Sequence, residues 1–93
     1  MIVSIFAYDV SRDDARARVA ALLSHHGVRL QRSVFQAEVS TLSDLQELVH
    51  VVTSLIDPAT DTVHVFRQCE TCWAARREHG QAPPPTDVAY WIV

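Results

Sequence analysis

The chain has no lysine, only two glycines and only two cysteines in 93 residues. Without lysine, every fixed side-chain cation is a guanidinium, whose planar fork suits bidentate phosphate contact better than an ammonium does. Apolar runs are only a few residues long, which excludes a helix of the roughly 20 apolar residues needed to span a bilayer. The start Met1-Ile2-Val3-Ser4 shows neither a basic leader nor a small-residue cleavage site, so no secretion signal is expected. Two cysteines, no leader and no internal repeat point to a soluble cytoplasmic domain. Ninety-three residues suffice for one domain. A chain this short buries a limited fraction of its surface, so a partner subunit that extends the core is expected.

Net charge is −3, against a simple nucleic-acid binder, but the charge is unevenly placed. Five arginines (12, 16, 18, 29 and 32) lie in residues 1–40, against four acids there (9, 13, 14 and 38). Residues 41–66 carry four acids and no arginine, and residues 67–93 carry three of each sign. The cationic character therefore belongs to the first half.

Residues 2–8 are apolar on both alternating faces apart from Ser4, the pattern of a strand covered on both sides. Helices in so small a domain cover one sheet face, so a second copy of the sheet is the simplest cover for the other. Ser11-Arg12-Asp13-Asp14 fits a capping box, and Ala15, Val19, Leu22, Leu23 and His26 follow helical spacing up to a stop at Gly27. Residues 28–39 alternate as extended chain, either one kinked strand or a short strand and a tight turn near Arg32–Ser33. One face of that stretch carries Gln31, Ser33, Phe35, Ala37 and Val39. A second helix is expected from Leu42 to Ile56, closed by Asp57-Pro58. A strand follows over Thr62–Gln68, then a helical turn or two within 70–79. Three consecutive prolines then stiffen a linker that leads to an apolar tail strand, Val88–Val93. The order predicts an α+β fold: a ferredoxin-like βαββαβ sandwich over 1–80, with a Pro-rich linker and added C-terminal edge strand over 81–93 docking on the partner protomer.

Asp9 ends the first strand, where a carboxylate faces the mouth of a loop. It either stabilises the first helical turn or ligates Mg²⁺, and a single carboxylate is a poor Mg²⁺ site. Two Asp9 side chains meeting across a dimer axis, completed by substrate phosphates, make a better one. Arg16, Arg18, Arg29 and Arg32 are read either as solvated border residues or as a set that positions phosphates without reading sequence. Cys69-Glu70-Thr71-Cys72 has zinc-knuckle spacing but no second pair, and His64 and His79 complete a site only if the fold gathers them. Otherwise the cysteines are reduced or reversibly bridged thiols. His25 and His26 suit a helix C-terminus, and Trp73, Tyr90 and Trp91 read as packing residues rather than base-stacking platforms.

Taken together these residues form an ordered set: Tyr8-Asp9-Val10-Ser11, Arg16 with Arg18, Gly27, Gln31 to Phe35, Leu55-Ile56-Asp57-Pro58, Asp61 to Phe66 and the Cys69–Cys72 segment. The set resembles the second core CRISPR-associated family over residues 1–72, while the linker and tail match only in character. Arg32 departs from it, standing where an apolar or aromatic residue is expected. The resemblance implies a homodimer joined through its sheets that partners the CRISPR integrase during spacer acquisition and holds a nucleic-acid duplex. It also implies a Mg²⁺-dependent endonuclease on RNA or DNA, with Asp9 as ligand and Tyr8, Arg16, Arg18, Arg29 and Phe35 associated with activity. A ferredoxin-like toxin-type ribonuclease or a small regulatory domain outside CRISPR is the competing reading.

Overall fold

The architecture turns on the alternation of side chains along the first strand, β1 (Ile2–Asp9). Ser4, Phe6 and Tyr8 point to one side, where they are 0%, 0% and 5% exposed, and Val3, Ile5, Ala7 and Asp9 point to the other. The computed structural model of the protein describes residues 1–80. In it, β1 is an inner strand of an antiparallel sheet with β2 (Gly27–Gln31), β3 (Val34–Val39) and β4 (Thr62–Gln68), in the order β2-β3-β1-β4. The two main helices, α1 (Asp13–His26) and α2 (Leu42–Ser54), cover one face, and α3 (Glu70–Ala74) follows the last strand. This is the expected ferredoxin-like α+β arrangement. The linker and tail, with Tyr90 and Trp91, lie outside the described residues.

Register explains the core. Phe6 sits opposite Phe35 on one neighbour and Val65 on the other, so a rank of large side chains crosses three strands on the helix face. Against it pack Ala15, Val19 and Leu23 of α1 and Leu45, Leu48 and Val52 of α2, each pair spaced by three or four residues along its helix. Among the described residues neither α1 nor α2 covers the opposite face, and Phe66, paired with Ile5, is 53% exposed there.

Several local expectations change. The Ser11 capping box does not form: α1 starts at Asp13 behind Arg12, with no side-chain cap, because the Ser11 amide donates instead to Asp61 Oδ1 at 3.0 Å. Gly27 is extended rather than left-handed (φ 180°), and glycine is required there for space, since a Cβ would lie 1.7 Å from the Gln36 carbonyl oxygen. Residues 28–39 are two strands joined by the tight turn at Arg32–Ser33, not one kinked strand. A register shift between Arg29 and Gln31 resets the alternation, so Gln31 pairs with Val34 and leaves the face of Phe35. Helix α2 stops at Ser54 rather than Ile56, and its start is capped by Thr41 Oγ1, which accepts from the Asp44 amide at 3.1 Å.

Candidate nucleic-acid interface

Three of the four arginines singled out by sequence converge. Arg16 on α1, Arg29 on β2 and Arg32 in the turn line one cleft together with Tyr8, Asp13, Ala17, Ala20 and Ser33. The turn is brought there by the Tyr8 amide, which donates to the Ser33 carbonyl at 3.0 Å and continues the ladder one step past β3. Two of the guanidinium groups are held. Arg16 donates to the Val10 carbonyl at 3.0 Å and pairs with Asp13, and Arg29 lies over the Phe35 ring at 5.0 Å from its centroid. Phe35 in turn stacks with Tyr8, centroids 6.2 Å apart. Arg32 has no ion pair or hydrogen bond among the described residues. The Tyr8 hydroxyl is buried and has no hydrogen-bond partner among them either. The two guanidinium groups fixed in advance suit a phosphate, because ordering them costs little further side-chain entropy. Arg18 is elsewhere: two residues along the helix from Arg16, it is absent from the cleft and its charge acts on Asp14.

Asp9 and Tyr8 are consecutive in a strand and so face opposite sides of the sheet. The structure therefore does not join the Tyr8 hydroxyl to the Asp9 carboxylate. Asp9 is exposed at the end of β1, paired with Thr62, and makes no hydrogen bond or ion pair among the described residues. His64, opposite Ala7 on the same uncovered face, is its diagonal neighbour and stacks on Phe66 with centroids 6.1 Å apart. His64 and His79 do not complete a zinc site with the cysteines. Among the described residues no group of three or more His, Cys, Asp or Glu is placed to hold a metal ion.

Asp61 is the residue that sequence reasoning missed. It is 8% exposed, and its carboxylate accepts from the Ser11 amide at 3.0 Å, the Asp57 amide at 2.9 Å and the Thr60 hydroxyl at 3.1 Å. It thus ties the loop after Asp9 to the loop before β4, setting the surroundings of the Asp9 carboxylate. The amides of Asp57 and Ser11 favour its charged form and hold its pKa below the usual carboxylate range. Its only sequence signal is an acid just before a strand, which any turn also supplies.

With this geometry in view, comparison with known proteins is informative. Residues 1–76 match the family model described as CRISPR associated protein Cas2. The CRISPR-associated endoribonuclease Cas2 4 of Rhodospirillum rubrum is 33% identical over 89 residues, 96% of this chain and 71% of the relative. The crystal structure of Streptococcus pyogenes Cas2 at pH 6.5 superposes with a TM-score of 0.72 at 28% identity, covering 83% of this chain and 96% of that one. A chain of a partial Cas6-RT-Cas1–Cas2 complex, 20% identical, shares the fold with a TM-score of 0.70 over 84% and 90% of the two chains.

Proposed function

The chain belongs to the CRISPR-associated Cas2 family, and we propose that it acts there as a two-fold dimer that holds nucleic acid for the CRISPR integrase during adaptation and cleaves phosphodiesters as a Mg²⁺-dependent endonuclease of the endoribonuclease type. The observation that carries this reading is the uncovered sheet face. It presents Ile5, Ala7, Val34 and Phe66 with the free Asp9 carboxylate at its rim, so a second copy seated on it brings two carboxylates to one axis. The cleft of Arg16, Arg29 and Arg32 supplies the backbone contacts, and the duplex held by the dimer is then presented to the integrase. No described helix is long and apolar enough to cross a membrane. The cytoplasm, where thiols stay reduced, is the compartment that suits the two free cysteines.

One carboxylate per protomer does not make a Mg²⁺ site, whereas two Asp9 residues with phosphate oxygens give the hard oxygen donors this ion prefers. When bound, the ion polarises the phosphate and acidifies an attacking water. Asp9 would hold the ion's position from a rigid strand end, while the arginines, on the other side of the sheet, hold the substrate backbone away from it. The test is cleavage of RNA and DNA by the purified dimer across a Mg²⁺ titration, beside Asp9→Asn. The variant keeps the shape and loses the charge, so it should fold and dimerise while cleavage falls by about 100-fold or more. Undiminished cleavage by Asp9→Asn would remove the nuclease and leave the binding subunit alone.

A further inference from the structure

The function above makes no use of Cys69 and Cys72. They lie past the end of β4, where Gln68 pairs with Val3, six β1 residues or about 20 Å from Asp9. Both thiols are free and exposed. Cys69 is the residue before α3, and one helical turn closes between the pair: the Trp73 amide donates to the Cys69 carbonyl at 2.9 Å, and the Cys72 amide donates to Cys69 Sγ at 3.2 Å. Residues three apart on such a turn have Cβ atoms about 5–6 Å apart, within a small adjustment of the roughly 3.5–4.5 Å that a disulfide spans.

We propose that Cys69 and Cys72 form a thiol–disulfide exchange site that reacts with small disulfides of the glutathione class, Cys69 as the attacking sulfur and Cys72 as the resolving one. The roles follow from the direction of the hydrogen bonds. The Cys72 amide points its proton at Cys69 Sγ, and the neighbouring Cys72 thiol favours the Cys69 thiolate and holds it below the usual thiol range, while Cys69 in turn pushes Cys72 up. In the first step the Cys69 thiolate attacks one sulfur of the disulfide. A new S–S bond forms, the old one breaks, and one thiolate leaves with the electron pair. Cys72 then gives its proton to solvent and attacks Cys69 Sγ, expelling the second thiolate. Two protein thiols are thus oxidised to one disulfide while one small disulfide is reduced to two thiols. The product closes a four-residue ring at the junction between the edge strand and the segment leading to the C-terminus. A structural zinc role is not favoured, since no third ligand among the described residues approaches the pair.

The experiment equilibrates the full-length protein in mixtures of oxidised and reduced glutathione, blocks free thiols by alkylation and reads intact mass. Wild type should lose two hydrogens and form one intramolecular disulfide. Cys72→Ser should accumulate one glutathione on Cys69, because nothing resolves the mixed disulfide. Cys69→Ser should acquire glutathione several-fold more slowly. Equal rates for the two single variants would overturn the assigned roles. A wild type that stays fully reduced under excess oxidised glutathione, or one that forms only interchain disulfides, would overturn the site itself.

Discussion

The two faces of one sheet have opposite fates. On the helix side, Ser4, Phe6, Phe35 and Ala37 are at most 1% exposed, closed over by α1 and α2. On the other side, β1 offers side chains nearly as apolar, yet their partner Phe66 remains 53% exposed. Composition along β1 does not distinguish the faces; what covers them does. A helix-covered face is finished within one chain and carries stability. The opposite face, equally apolar along β1, is covered by neither main helix among the described residues and carries the Asp9 carboxylate at its rim. Cations and acid are separated by the same rule: the arginine cleft opens on the helix side, Asp9 on the other.

The comparison is most sharply broken by truncating one side chain from each face. Phe6→Ala removes a fully buried ring from the helix face and should cost about 3–5 kcal/mol, read as a lowered denaturant midpoint at unchanged slope. Ile5→Ala, its neighbour on the open face, should cost about 1 kcal/mol or less when measured at concentrations where the protein is monomeric. Similar costs would mean that the open face is packed within the monomer.

Phe66→Asp should leave the fold intact by circular dichroism and shift the proposed dimer to monomer in sedimentation at micromolar concentration, because a carboxylate on an apolar face that dimerisation buries goes unpaired. A dimer of unchanged affinity would place the contact elsewhere.

A smaller effect is expected at Asp61. A carboxyl whose acidity is raised by native hydrogen bonds contributes stability that is fully present above the unfolded pKa of about 4 and lost as pH falls through its lower native value. Wild type should therefore lose part of its stability on acidification below about pH 4, and Asp61→Asn should lower stability at neutral pH and flatten that acid limb. An unchanged acid limb in the variant would mean that the Ser11 and Asp57 amides are satisfied without it.

Much of this was legible in the residues alone. Two-sided hydrophobicity of β1, the helical stripe from Ala15 to His26, that of the second helix and the apolar alternation of β4 depend on period, which the chain states directly. The site was legible in part. Arg16, Arg29 and Arg32 converge on one cleft, but the turn at Arg32–Ser33 was marked by no glycine or proline, and the register shift that changes the phase of Gln31 could not be read. Arg18 separates from the others because two positions on a helix turn the side chain by about 200°. Asp61 was hidden because its partners, Ser11 and Asp57, are backbone amides set by tertiary contact, and Ser11 itself looked like a cap.

The division of labour between the faces is tested most directly by measuring binding and cleavage of the same RNA and DNA substrates on two variants. Asp9→Asn should bind as tightly as wild type in the absence of Mg²⁺ and cleave about 100-fold more slowly or worse when the ion is added. Arg16→Gln with Arg32→Gln should bind unrelated sequences equally weakly, with a salt dependence flatter by roughly two phosphate contacts per protomer, and at saturating substrate should retain most of its cleavage rate. If instead Asp9→Asn loses binding, or the arginine variant binds normally and fails only in cleavage, the two faces do not divide the work in this way.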